Sequence, residues 1–398
     1  MKNKILIFSF LALCALFLAA LYISEKRRQD LIMGKPSLAV VKYTWLGYRG
    51  SFIEQDGRVR RPDDKDTVSE GQAYAMLRAV WMQDKDVFDK CYRWTEEHLS
   101  REKEKKDSLL AWRWQNGRVA DWMPASDAML DYALSLIFAD ALWPLDSPQG
   151  TEDYGKKARE VLQDTLDLMT YRTRGGRLYL SPWILDPSGQ GAPFPVNPSY
   201  YSPAHFKVFF EYTKDKRWLE LRETTYFILE NLSGSFEGVF GQGLIPDWCA
   251  VDENDNFVRL EGKTTDFSWE SVRVPLRVAL DYYWFANPQA QKFLSGKLSD
   301  FVVSQWRNKN SLACEYRYDG SPVKEYENPL FYAAYACLLY PGDLSLAAVF
   351  RDKTREFIVK DGEIWVYNNK NDYYTNSLAW FADGLHCGAI RNIKRKDN

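Results

Sequence analysis

Thr67-Val68-Ser69-Glu70-Gly71-Gln72-Ala73-Tyr74-Ala75-Met76-Leu77 reads as the start of a helix with an acid at its mouth. Ser69 with Gln72 three residues on has the spacing of a capping box. Ala73, Met76, Leu77 and Val80 then follow at helical spacing. Glu70 falls in the first turn, where the helix dipole favours a negative charge. An acidic first turn is ordinary by itself, so the rest of the chain decides what Glu70 is for.

The same arrangement recurs downstream. Pro124-Ala125-Ser126-Asp127-Ala128-Met129-Leu130-Asp131 places Asp127 where a loop becomes an apolar helix. Leu109-Leu110-Ala111-Trp112-Arg113-Trp114 precedes it as an aromatic and basic patch. Asp266-Phe267-Ser268-Trp269-Glu270-Ser271-Val272-Arg273-Val274-Pro275 makes a third join. Each acid alone is explained as a cap or first-turn residue. Three such joins flanked by Trp or Tyr point to a shared face.

Further helical patterns run near 86–100, 127–143, 152–170, 202–214, 217–232, 270–286, 288–306, 327–340, 343–357 and 376–386. Longer connections rich in Gly, Pro and aromatics span 172–200, 233–268 and 308–325. Ahead of Ser69, Tyr43-Thr44-Trp45-Leu46 leads through Asp56-Gly57, read as a turn between extended pieces. Paired helices with elaborate loops on alternate joins predict an all-α fold closed into a barrel, with short β pieces in the loops. An open bundle of roughly 355 residues would be unusually large.

Composition excludes several functions. A net charge of -2 with 27% charged residues shows no basic stripe, so nucleic acid is not an expected partner. The six Cys are scattered without a CxxC or Cys/His cluster, and read as small buried hydrophobes; no metal site is expected. His98, His205 and His386 are too dispersed for a zinc or serine-hydrolase constellation. The terpene-cyclase type of helical toroid would need an Asp-rich metal motif, and Asp63-Asp64 sits in a loop ahead of the helix. Fifteen Trp and 24 Tyr suit carbohydrate, although they also fill large cores.

Ile5 to Ile23 is an uncharged apolar run of 19 residues, long enough to span a bilayer. It exceeds the usual apolar core of a signal peptide, and no small-x-small site precedes Glu25-Lys26-Arg27-Arg28. The expectation is a signal anchor over 1–23, a charged linker over 24–42 and a catalytic domain over 43–398. The body would lie outside the cytoplasm, tethered to the membrane; secretion after cleavage is the alternative.

Five blocks in order resemble glycoside hydrolase family 8: Asp56-Gly57-Arg58-Val59 with Val68-Ser69-Glu70-Gly71-Gln72; Ala125-Ser126-Asp127; Asn197-Pro198-Ser199-Tyr200-Tyr201 with Pro203; Gly243-Leu244-Ile245-Pro246-Asp247-Trp248; and Ser268-Trp269-Glu270-Ser271 with Arg273-Val274-Pro275. The resemblance covers about residues 43–386. It implies an (α/α)6 barrel, inverting hydrolysis of a β-linked polysaccharide and no cofactor. Glu70 matches the general acid, Asp127 the central acid that contacts the distorted sugar, and Glu270 the position of the base. Inversion needs the two carboxyls about 6.5–9.5 Å apart to admit a water.

Three departures stand out. Glu270 replaces an Asp and lengthens the arm by one methylene, which makes Asp247, Asp266, Glu237 and Glu261 reserve candidates for the base. Met129 replaces the second Asp of the Ala-Thr-Asp-Gly-Asp motif, which removes a polar contact. Trp269 replaces a Tyr, which removes a phenol beside the base. Trp112, Trp114, Tyr200 and Trp269 are expected to stack on sugar rings, with Arg273 as a polar partner. A β-1,4-glucan or a bacterial exopolysaccharide is the expected substrate, with chitosan and xylan as alternatives in the same fold. A polysaccharide synthase or export complex is the expected partner of an anchored enzyme. The other reading is an inactive carbohydrate-binding subunit of such a complex.

Overall fold

The computed structural model describes residues 35–144, 153–186 and 193–394. Its helices come in pairs. Helix α1 (Lys35–Phe52) is followed by α2 (Ser69–Trp81) with α3 (Lys85–His98), and α4 (Ser126–Leu142) with α5 (Tyr154–Leu168). Then come α6 (Pro203–Thr213) with α7 (Arg217–Gly234), and α8 (Arg273–Phe285) with α9 (Pro288–Leu294) and α10 (Lys297–Lys309). The last are α11 (Pro329–Leu339) with α12 (Leu344–Glu356), then α13 (Tyr373–Leu378) and α14 (Phe381–His386).

The contacts close into a ring. Helix α2 packs on α4, α4 on α6, α6 on α8, α8 on α11, α11 on α13 and α14, and α13 returns to α2. These are the inner helices. Each following helix lies outside its predecessor, while α1 from the start of the chain packs on α13 and α14 at its end. The pattern is consistent with an (α/α)6 barrel whose sixth pair joins the two ends of the chain.

Sequence accounts for which helices face inward. Helix α11 is apolar all round and buried at every position, and α4 is buried from Ser126 to Ala139. The outer α3 instead buries one stripe, Val87, Phe88, Cys91, Tyr92, Trp94 and Thr95. Each fully buried Leu or Phe in the ring contributes about 1.5–3 kcal/mol of transfer free energy.

Every strand among the described residues lies in a join that leads from an outer helix to the next inner one. Strand β1 (Thr67–Val68) pairs antiparallel with β2 (Arg113–Gln115), with Thr67 opposite Trp114, and β2 pairs with β3 (Arg118–Asp121). The elaborate loops thus collect over the N-terminal ends of the inner helices.

Several expectations are corrected. Residues 35–52 are helix, so the linker over 24–42 does not hold from Lys35 onward, nor does the extended reading of Tyr43–Leu46. Val41, Trp45, Tyr48 and Phe52 form a buried stripe at helical spacing, obscured in the sequence by Gly47 and Gly50. The capping box at Ser69 does not form. Val68 is the N-cap, extended and without a side-chain bond, and the Ser69 hydroxyl has no partner among the described residues. Gln72 turns away to bond Val59 N, Cys91 O and Thr95 Oγ1. The helix start is tied instead by Ser69 N–H donating to Trp112 O at 2.9 Å. The pattern over 288–306 splits into α9 and α10 at Ser295-Gly296, and the last inner element starts at Tyr373 and splits into α13 and α14. The apolar run Ile5 to Ile23 lies outside the described residues, among which no helix is long and apolar enough to cross a membrane.

Gly47 is where α1 meets the strand Ile364–Tyr367: a Cβ there would sit 1.9 Å from Trp365 O. Gly47→Ala is therefore expected to destabilise the fold by about 1–3 kcal/mol through overpacking. Thermal unfolding measures it, and an unchanged Tm would mean that α1 does not dock as described.

Candidate active site

The inner-helix mouths share one level. Glu70 is the second residue of α2, Asp127 the second of α4, Arg273 the first of α8 and Tyr373 the first of α13. Glu70, Asp127 and Tyr373 line a cleft of about 670 Å³, together with Trp112, Tyr200, Trp269, Glu270, Asp63, Asp64, Asn369, Asn371 and Asp372, and Arg273 is buried beneath it.

Arg273 organises its floor. The guanidinium is 2% exposed. Nη1 donates to Glu70 Oε2 at 2.9 Å and to Asp127 Oδ2 at 2.8 Å. Nη2 donates to Glu270 Oε2 and to Ser199 Oγ, the latter at 2.9 Å. Ser199 Oγ donates to Asn197 Oδ1 at 2.7 Å, and Asn197 Nδ2 donates to Glu270 Oε2 at 2.9 Å. A closed circuit Arg273–Ser199–Asn197–Glu270 thereby fixes one oxygen of Glu270. The terminal nitrogens of a guanidinium are about 2.3 Å apart, so the bonded oxygens of Glu70 and Glu270 are at most about 8 Å apart. That limit excludes a gap wider than inverting pairs use.

Charge balance explains the acid. Burial pushes the Glu70 carboxyl up to about 8; Arg273 opposes this, and the neighbouring Asp127 and Glu270 add to it. The side chain is nonetheless 20% exposed, towards the cleft. Burial likewise raises Asp127, again against Arg273.

One turn deeper, a second rung repeats the first. Arg277 grips Asp131 with two bonds of 2.5 and 2.6 Å, and His205 Nε2 lies 2.9 Å from the same carboxylate. Burial works against the Asp131 charge, but Arg277 and His205 hold it well below the usual carboxylate range. Burial also lowers His205 despite Asp131, so the contact is that of a neutral imidazole. Asp127/Asp131 on α4 and Arg273/Arg277 on α8 are both four residues apart, which puts each pair on one helix face.

The structure gathers Glu70, Asp127, Glu270, Trp112, Tyr200 and Trp269 at the cleft, with Arg273 bonded to the three acids from beneath. Tyr200 lies over the Arg273 guanidinium at 5.2 Å, and Trp269 packs edge-on to Phe331 at 5.3 Å. Trp114 is not a cleft residue. It packs edge-on to Trp94 at 5.4 Å, with Arg58 over its face at 4.4 Å. Regular alternation would put Trp112 and Trp114 on one face, but the register of β2 on β3 shifts between Arg113 and Trp114. None of the reserve bases lines the cleft. Glu237 is at the tip of a surface hairpin, paired with Arg259 at 3.0 Å, and Glu261 is exposed. Asp266 is half-buried, its carbonyl accepting from Asp247 N–H, and Asp247 is buried among the hydroxyls and amides of Ser268 and Ser271. Met129 does not cost the cleft a contact: it is fully buried, and its sulfur accepts from Leu110 N–H at 3.3 Å.

Two groups of site residues were passed over in the sequence. Asn197 and Ser199 lie in the Asn-Pro-Ser-Tyr block, but nothing local ties them to Glu270, 73 and 71 positions away. Asn369, Asn371, Asp372, Tyr373 and Tyr374 form a cleft wall at a helix whose start was read three residues too late.

Residues 34–385 match the family described as glycosyl hydrolases family 8. Endoglucanase A of Acetivibrio thermocellus is 30% identical over 85% of this chain and 67% of its own length. The chain spans about half, 52%, of Endoglucanase 2 of Ruminiclostridium josui, at 28% identity over 63% of this chain. A β-1,3-1,4-glucanase from Paenibacillus sp. X4 shares the fold, with a TM-score of 0.73 at 21% identity over 90% of this chain and 93% of that one. The chain belongs to glycosyl hydrolases family 8.

Proposed function

We propose that this protein hydrolyses internal β-glycosidic bonds of a glucan by inversion, with Glu70 as acid and Glu270 as base. The observation that carries the reading is one buried guanidinium holding both carboxylates at the cleft floor, where burial raises the Glu70 carboxyl to about 8. Glu70 gives its proton to the glycosidic oxygen as the bond to the anomeric carbon breaks and the electron pair stays with that oxygen. Water attacks the opposite face and yields a proton to Glu270. Oε2 of Glu270 is tied down by Arg273 and Asn197, while Oε1 carries no hydrogen bond from the described residues. Asp127 supplies negative charge that keeps the proton on Glu70, and Trp112, Tyr200 and Trp269 offer ring faces to the sugars. The names of the relatives, endoglucanases and β-glucanases, support a glucan and an endo mode.

The apolar run Ile5 to Ile23 supports a membrane anchor, with the ring outside the cytoplasm. An enzyme held there would meet its glycan as it leaves a synthase or export complex.

Five outcomes test this. Glu70→Gln should lower reducing-sugar release from β-glucan by about 10²–10⁴-fold, and the first product of the wild type should be the α-anomer by NMR. Wild-type turnover in that variant, or a β-anomer, would sink the reading. Because Glu70 acts only while protonated and its carboxyl is raised to about 8, kcat/KM should fall on the alkaline side near that pH. Asp127→Asn removes a charge that raises Glu70, so this limb should move to lower pH; an unmoved limb contradicts the role given to Asp127. The full chain should stay in the membrane pellet through an alkaline carbonate wash, and release into the supernatant would overturn the anchor.

A further inference from the structure

Glu270 stands outside any regular element. Helix α8 begins at Arg273, and residues 268–272 form a turn closed by Val272 N–H to Ser268 O at 3.0 Å and Arg273 N–H to Glu270 O at 3.1 Å. An acid 21 positions upstream holds that turn. Asp247 is 3% exposed. Its Oδ1 accepts from Ser268 N at 3.0 Å, Ser271 N at 2.8 Å and Ser271 Oγ at 2.7 Å. Its Oδ2 accepts from Ser268 Oγ. The Asp247 N–H donates to Asp266 O at 2.8 Å, which fixes the acid in its own loop.

A single carboxylate therefore takes four donors from the two serines on either side of Glu270. Charge-assisted bonds of this kind are about twice as strong as neutral ones. Plain helix capping would need one or two of them. Arg273 and Asn197 grip the far end of the Glu270 side chain, and Asp247 grips the backbone beneath it. With both ends held, the long arm of Glu270 has one reach into the cleft.

We propose that Asp247 is a positioning residue for the base, acting through Ser268 and Ser271 on the backbone of Glu270. This rests on Glu270 being the base. Displacing a reacting group by about 1 Å costs on the order of 10²-fold in rate. Asp247→Asn keeps the size but turns an acceptor into an amide that faces donors. It should lower kcat on β-glucan by about 10–100-fold and leave KM within about twofold.

The same substitution in a Glu270→Ala background should cost no further kcat, because its route to the chemistry is gone. A general loss of structure would instead multiply through both backgrounds. Wild-type kcat in Asp247→Asn, or an equal loss with and without Glu270, overturns the proposal. If Asp247→Asn does not fold, Ser271→Ala removes one of the four bonds and runs through the same cycle with the same expected outcomes. Wild-type kcat in Glu270→Ala is a different result: it removes the base reading itself.

Discussion

One guanidinium cannot neutralise three carboxylates. Arg273 is buried where it meets Glu70, Asp127 and Glu270, and the surplus of two negative charges favours taking up a proton, which cuts it to one. Burial lodges that proton on Glu70. The acid is therefore less a property of one side chain than of the cluster's charge count. A buried cation with a missing partner is costly, which binds the three carboxylates, and the helices that carry them, into one unit.

That unit needs the ring. Glu70, Asp127 and Arg273 come from three inner helices, and each sits within the first two positions of its own helix. The deeper Asp131–Arg277 rung locks α4 against α8 one turn below, so that the upper rung meets in register. The outer-to-inner joins bring Trp112, Tyr200, Trp269 and Glu270 to the cleft, and the inner helices carry Glu70 and Asp127.

The sequence carried much of this and missed the rest for identifiable reasons. Helical periodicity located the inner and outer helices because burial on all sides, or on one stripe, leaves a pattern. Helix α1 escaped because Gly47 and Gly50 look like loop residues, when Gly47 is there to let the backbone of Trp365 approach. Glu70 and Asp127 were legible as acids at helix starts. The capping box at Ser69 was a local pattern overridden by tertiary demand, since Gln72 is needed elsewhere in the core. Trp114 was misjudged because a spacing of two predicts a shared face with Trp112, and the register shift at Arg113/Trp114 that breaks it shows only in the paired strands. Asp247 was legible as an acid beside a tryptophan; that it grips Ser268 and Ser271 depends on the path of a long loop, which no spacing encodes.

The sixth helix pair is made from opposite ends of the chain. Tyr48 meets Ser377, and Ser37 meets Arg355, across more than 300 positions. Such contacts form only after most of the polypeptide exists, because the entropy of closing so large a loop comes before the contacts that reward it. Synthesis proceeds from α1, yet α1 must wait for α13 and α14 before its buried stripe is covered. The last segment to arrive also brings Asp372, Tyr373 and Tyr374 to the cleft wall. A nascent chain stopped short of Asp372 has Glu70 and Glu270 but an open side to the cleft, which closes only when α13 and α14 dock on α1.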